Sequence, residues 1–102
     1  MKSITYAQFS EQLNTSFDVS SPNLLHPVQL KLVQAHLKES GPVQVQFSLL
    51  FQGPDQPLLA QGIYLFNHQQ LEALEIFIVP VGRDKDGIRY EAVFNQLINK
   101  DM

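Results

Sequence analysis

The feature that most constrains the fold is an alternation of apolar and polar residues that recurs along most of the chain and is interrupted by Gly and Pro. The clearest run has these apolar members: Val43, Val45, Phe47, Leu49 and Phe51. It is bracketed by Gly41-Pro42 and Gly53-Pro54. Because successive side chains of a strand point to opposite faces, the run predicts a strand with one buried face. The two breaker pairs set its limits.

Further strands are predicted along the chain. Short strands are expected at 17–19, 62–67 and 88–94, and in 62–67 the apolar Ile63 and Leu65 lie opposite Tyr64 and Phe66. A longer alternation begins at Val28, and its phase slips near 32–34, which predicts a β-bulge. The segment 74–79 is apolar on both faces, with Phe77 and Val79 opposite Ile76 and Ile78, so we expect a central strand covered on both sides. Residues 82–87 form the expected turn of a hairpin.

One helix is predicted near the N-terminus. Thr5 and Gln8 have the Thr-x-x-Gln spacing of a capping box, in which each side chain bonds to the other's backbone amide. Tyr6, Phe9 and Leu13 then fall on one apolar stripe. The pattern predicts a helix over 5–13.

These elements fit one domain spanning residues 1–102, because a chain of this length has no room for a second core of useful size. The fold class is mainly β (all-β or α+β). We expect a small antiparallel barrel or a two-layer sandwich of about six strands, with the short N-terminal helix plugging an open end. The positions predicted to be buried are Phe47, Leu49, Phe51, Ile76, Ile78, Tyr90 and Phe94.

Composition excludes several classes of function. There is no cysteine, which rules out disulfides and thiolate metal sites. The net charge is −3, and the basic residues are scattered singly, so nucleic-acid binding is not expected. No apolar run is long enough for a membrane span, and the first residues lack the apolar run of a signal peptide. We therefore expect a protein that is cytoplasmic when synthesised.

Residues that could carry chemistry are not arranged for it. Asp84-Lys85-Asp86-Gly87 resembles the start of a calcium loop, but Ile88 and Asn95 occupy the fifth and twelfth positions, where oxygen ligands are needed. A hairpin turn explains the segment better. His26, His36 and His68 lack metal-ligand spacing, and no serine lies in a Gly-x-Ser-x-Gly elbow. We expect no metal, no cofactor and no enzymatic activity.

Charge placement is unusual in the middle of the chain. From Ser40 through Leu71 the only formally charged residue is Asp55, and glutamines fill many polar positions. One interpretation is that these strands are interior strands of a closed barrel with a solvated face. The other is that a neutral, Gln-rich strand docks onto a protein partner or a second subunit. The candidate interaction residues are Gln44, Gln46, Gln52 and Tyr64.

Several segments resemble a bacterial family of uncharacterised small domains. They are FSLLFQGP at 47–54, PLLAQGIY at 57–64, FIVPVG at 77–82 and RYEAVFN at 89–95. The resemblance covers roughly 47–95 and carries no known activity. It implies an association with phage-tail-collar-like surface proteins.

Two functions remain open. The first is a non-catalytic structural or protein-interaction subunit, accessory to a phage-tail-collar-like surface or fibre assembly. The alternative is a small-molecule-binding or catalytic barrel whose polar mouth is formed by Tyr64, His68 and Arg89, together with Arg83 and Asp84.

Overall fold

A computed structural model describes residues 4–97, so the basic residues Lys2 and Lys100 lie outside the described part. Within it the chain forms one short helix and six strands. The elements are α1 (Tyr6–Ser10), β1 (Ser16–Ser20), β2 (Val28–Ser40), β3 (Gln44–Gly53), β4 (Gly62–Asn67), β5 (Leu74–Asp84) and β6 (Gly87–Leu97). No helix among residues 4–97 has the length and apolarity needed to cross a bilayer.

The six strands close into a barrel in the order β1-β2-β3-β6-β5-β4, with every neighbouring pair antiparallel. The prediction of a mainly β fold is confirmed. Of the two predicted architectures, a barrel and a two-layer sandwich, the structure adopts the barrel. Strands β1–β3 form one meander and β4–β6 a second. The segment 54–61 joins the meanders by crossing one end of the barrel, because β4 pairs with β1 and β5 rather than with β3.

The core is formed by the inward faces of all six strands. Of the seven positions predicted to be buried, all but Phe94 are fully buried. Phe94 is partly buried and stacks on Phe47, with ring centroids 4.8 Å apart. Val43 was predicted to share the inward face of β3, but it precedes the strand and is exposed. Val43 therefore belongs to the tight connection from β2 to β3, although alternation assigned it to the core.

Helix α1 closes one end of the barrel. The capping box is formed as predicted, with Thr5 accepting from the Gln8 amide and the Gln8 side chain accepting from the Thr5 amide. Phe9 is fully buried, and its ring lies 5.4 Å from that of Phe94 and 6.1 Å from that of Phe47. The helix thus inserts one large side chain into the core and covers an end of the barrel that would otherwise need another element to cover it.

The helix is shorter than predicted, because it ends at Ser10 rather than at residue 13. The Asn14 amide donates to the Leu32 carbonyl, and the Leu32 amide donates to the Thr15 carbonyl. These bonds add residues 14 and 15 to the β2 ladder. Asn14 has φ of 69°, in the left-handed region that Asn tolerates. Leu13 consequently lies in a turn and is exposed, contrary to the predicted apolar stripe.

The crossover segment closes the opposite end. Leu59 is buried, and its amide donates to the Tyr90 hydroxyl at 2.9 Å. Gly53 and Gly87 make a close approach at the same end. Gly87 has φ of +125°, and a Cβ built there would overlap the Gly53 carbonyl oxygen. Only Gly combines that backbone conformation with that contact.

Two predicted details of the strands are confirmed. The β2–β3 register shifts between Leu32 and Gln34, which is the bulge expected from the slip of phase. The β5–β6 hairpin is also present. Asp84 pairs with Gly87, so the turn is shorter than the one predicted for residues 82–87. One prediction is wrong. β5 is not covered on both faces, because Phe77 points outward and is half exposed.

Candidate functional site

The three candidate glutamines lie on the outward face of β3. Gln44, Gln46 and Gln52 are each half-buried. The residues that alternate with them face the core, where Phe47 and Phe51 are buried and Val45 is partly buried. β3 pairs with β2 on one side and with β6 on the other along nearly its whole length. The strand therefore has no unpaired edge to which a partner strand could be added. A partner could meet β3 only through side chains.

Among the described residues, an unpaired edge instead belongs to β2. β1 covers β2 only from Val28 to Lys31, whereas residues 34–40 pair with β3 alone. This edge carries Lys38 and Glu39 and a second register shift between Leu37 and Glu39. Charges and bulges are the features that protect an edge against strand addition.

Tyr64, the fourth candidate, is not part of an outward surface. It is half-buried and packs against the core. Its hydroxyl donates to the Ala60 carbonyl at 2.7 Å. Tyr64 therefore ties the crossover segment to β4, and its polar group is already used within the chain.

An apolar surface does lie on the outside of β4, β5 and β6. We call it the outer apolar face, and it consists of Ile63, Leu65, Phe77 and Val93. Ile63 pairs directly with Phe77 across β4 and β5. Phe77 and Val93 each lie two residues from the pair Val79–Glu91, on the same outward side of β5 and β6. Ile63 is 63% exposed, Phe77 50% and Val93 62%.

Two acidic side chains flank the outer apolar face. Glu75 pairs with Leu65, and Glu91 pairs with Val79 and with Leu50 of β3. The nearest outward basic residue of β6 is Arg89, and its guanidinium is held by Asp84 in a salt bridge. The surface therefore combines exposed apolar side chains with an acidic rim, of which Glu91 also lines a groove that contains His36 and Lys38.

Asp84 is the centre of a hydrogen-bonded cluster at the β5–β6 hairpin. Its carboxylate accepts from the Asp86 amide at 2.8 Å, from the Gln52 amide group at 3.1 Å and from Arg89. The Asp86 backbone bond, followed by those from Arg89 and Gln52, holds the pKa of Asp84 below its usual value. The cluster joins the hairpin to β3. Gln52 thus has a structural role that the sequence did not indicate.

His68 is held at the other end of the barrel. The backbone N–H of Gln70 donates to Nδ1 at 3.0 Å, and Nε2 lies 2.8 Å from the Thr15 hydroxyl. The ring also packs on Phe17, with centroids 4.4 Å apart. Burial lowers the pKa of His68 from its ordinary value. The imidazole ties the β4–β5 connection to the segment that leads into β1.

The Thr15–His68 contact has the distance of a nucleophile–base pair but the wrong proton arrangement. Because Nδ1 accepts from the Gln70 amide, the neutral ring carries its proton on Nε2 and donates it to Thr15. The Thr15 hydroxyl in turn donates to the Gln12 carbonyl at 2.7 Å. An imidazole that donates at this nitrogen cannot take the proton of the hydroxyl.

The polar mouth expected from the sequence does not form. His68 follows β4 at the end of the barrel that α1 closes, whereas Asp84 ends β5 at the opposite end, where Arg83 and Arg89 line a separate shallow groove of about 340 Å³. Tyr64 does not line that groove. Within residues 4–97, no three His, Asp or Glu side chains are grouped as metal ligands would be.

The sequence analysis missed the outer apolar face because it expected the strand at 74–79 to be covered on both sides. The signal was present in β4 and β5, which are apolar at consecutive positions and hence on both faces. Within residues 4–97 the one short helix closes an end of the barrel and does not cover the outer side of such strands. Apolar residues on both faces were therefore evidence for an exposed surface.

Neither the curated proteins nor the solved structures gave a match to this chain. A family model described as a domain of unknown function (DUF6916) matches residues 4–94. The match extends the similarity well beyond the segments after residue 47, so that it includes α1 and the first meander. The chain therefore belongs to this family of uncharacterised domains.

Proposed function

We propose that the chain is a non-catalytic interaction domain that binds a protein partner through the outer apolar face. The observation that carries the proposal is the exposure of Ile63, Phe77 and Val93 on neighbouring strands. Contiguous exposed apolar side chains are uncommon on monomers and are typical of interaction sites. The barrel adds support, since Ile63 and Phe77 pair with each other across β4 and β5 and Val93 pairs with β3, so these residues need little ordering on binding.

The acidic rim favours a partner of a particular chemistry. In a symmetric dimer the same patch faces itself, and the outward neighbours of Glu75 in that patch, Leu65 and Phe77, carry no charge that could pair with it. A different protein, with apolar side chains flanked by Lys or Arg, would cover the apolar residues and pair both carboxylates. We therefore favour a heterologous partner over a homo-oligomer.

The family resemblance found in the sequence indicates the kind of assembly in which we propose that the domain acts. It implies an association with phage-tail-collar-like surface proteins, so the proposed role is that of an accessory subunit in a surface or fibre assembly. The proton arrangement at Thr15 and His68 supports a role without catalysis, because it removes the best-placed hydroxyl–imidazole pair from nucleophilic chemistry.

The test is co-purification with the products of neighbouring genes, followed by size-exclusion chromatography with light scattering. Alone, the chain is expected to run as a monomer. Once a partner is found, the double variant Ile63→Ser/Phe77→Ser should weaken its binding about tenfold or more, since buried apolar anchors carry most of the energy of an interface. The matched control is Leu25→Ser, because Leu25 is 95% exposed and lies in the loop before β2, outside this face.

Charge reversal tests the chemistry of the partner. Glu75→Lys/Glu91→Lys should weaken binding more at low salt than at high salt, because surface ion pairs are screened. Gln44→Lys/Gln46→Lys measures whether the interface extends to β3. Wild-type affinity of the Ile63/Phe77 double variant, with native circular dichroism, would refute the proposed face. Self-association of the wild type that these substitutions abolish would show a homo-oligomer instead.

A further inference from the structure

A groove of about 620 Å³ lies beside the end of the barrel that α1 closes, where the β4–β5 connection meets β1. It is separate from the outer apolar face. Five of its lining side chains are amides: Gln12, Gln29, Asn67, Gln69 and Gln70. The remainder are the hydroxyls of Thr15 and Ser16, the carboxylate of Asp18 and the imidazole of His68.

The lining excludes most classes of ligand. No Lys or Arg lines the groove, so an anion would have no charged partner. It contains no aliphatic or aromatic hydrocarbon side chain, so an apolar ligand would gain little by entering. Asp18 is its only carboxylate, so the groove has too little negative charge to hold a divalent cation tightly. The ligand class that remains is neutral and polar.

Amide side chains have a further property that narrows the class. Each presents two N–H donors and a carbonyl acceptor close together. Neighbouring hydroxyl groups of a sugar or polyol also donate and accept in pairs, so five amides around one groove can bond to them without an unmatched group. A purely donating ligand or a purely accepting ligand would use only half of this capacity.

Parts of the groove are held in place before any ligand binds. The Gln29 amide group donates to the Asp18 carboxylate at 3.2 Å across β1 and β2. His68 fixes the β4–β5 connection, because its two ring nitrogens bond to the Gln70 amide and to Thr15. Asn67 is positioned by the β1–β4 ladder, where it pairs with Asp18. A preformed site spends less of its binding energy on ordering side chains.

We propose that this groove binds a neutral, polyhydroxylated ligand, a mono- or oligosaccharide. The test is a titration of the 15N-labelled full chain, followed by 1H–15N correlation spectra. The probes are glucose, galactose, N-acetylglucosamine and maltose, each up to roughly 100 mM, because an open polar groove is expected to give a Kd in the millimolar range. At least one probe should cause saturable shifts in the amides of residues 67–70 and in the side-chain amide of Gln29.

Matched variants assign the shifts to the groove. Gln29→Ala/Asn67→Ala should weaken binding about tenfold, whereas Gln61→Ala/Asn95→Ala removes two exposed amides elsewhere and should leave the Kd unchanged. Spectra of each variant without ligand verify the fold. The proposal is overturned if no neutral sugar gives a saturable shift. It is also overturned if glucose 6-phosphate binds more tightly than glucose, or if the shifts persist in the Gln29/Asn67 variant.

Discussion

Removing the Tyr90 hydroxyl tests how the crossover segment closes the barrel. Tyr90 is 1% exposed, and its hydroxyl accepts the hydrogen bond of the buried Leu59 amide. In Tyr90→Phe the ring still fills the core, but the amide loses its partner. A buried donor left unsatisfied costs about 1–3 kcal/mol. For a domain of this size, each kcal/mol lowers the Tm by about 4–8 °C.

The measurement is urea unfolding followed by circular dichroism, with Tyr64→Phe as the matched control. The Tyr64 hydroxyl donates to the Ala60 carbonyl in the same crossover segment, but that bond is exposed to water. Its loss is expected to cost under about 1 kcal/mol, because water replaces the donor. Both variants should keep the wild-type m value, which reports the surface exposed on unfolding.

The difference in the free energy of unfolding between the two variants tests whether the Leu59 amide is desolvated. Equal losses would mean that the Leu59 amide is not desolvated in the native state. A change in m value for Tyr90→Phe would mean that the crossover detaches from the barrel instead of remaining in place with an unpaired amide. The dependence of stability on pH gives an independent check that the Tyr90 hydroxyl is buried. Burial raises the pKa of Tyr90, so the unfolded chain ionises first and stability should fall as the pH rises above about 10.

Three further predictions follow from the core and the two polar clusters. Phe47→Ala should lower the free energy of unfolding by about 3–5 kcal/mol, because Phe47 is fully buried; an unchanged urea midpoint would contradict this. Because the pKa of His68 is lowered below 6.5, the unfolded chain takes up the proton first, and stability should fall as the pH drops from about 7 to 5. His68→Gln should flatten that slope, whereas His36→Gln, at an exposed position, should retain it. Asp84→Asn should lower the urea midpoint at pH 7 more than Asp86→Asn, and the difference should vanish as the pH falls below about 3.8, since the pKa of Asp84 is lowered from that value. Equal midpoints at pH 7 would show that the Asp84 carboxylate contributes nothing.

Local chemistry made much of the fold readable from the sequence. Alternation at period two assigned inward faces to β3 and β6, and the slip of phase in β2 located a bulge, because both depend only on the direction of successive side chains. The Thr5–Gln8 capping box was readable for the same reason, since its bonds join residues three apart. Breaker residues bounded β4, which runs from Gly62 to Asn67 as predicted.

Tertiary structure decided what long-range pairing controls. The helix ends at Ser10 because the segment after it pairs with β2, whose contribution at Leu32 lies too far along the chain to be seen in a local pattern. The same limit applies to the polar clusters. Alternation shows that His68 and Arg89 are not in the core, but it cannot show that strand direction places them at opposite ends of the barrel.

The outer apolar face shows the division most clearly. The sequence determined that β4 and β5 are apolar on both sides, and this was correct. Whether the second side is buried depends on the number of layers in the fold, which is a property of the whole chain. Because the strands close on themselves and α1 occupies one end of the barrel, nothing among residues 4–97 covers Ile63 and Phe77. The sequence therefore determined the apolar surface, and closure of the barrel left it facing solvent.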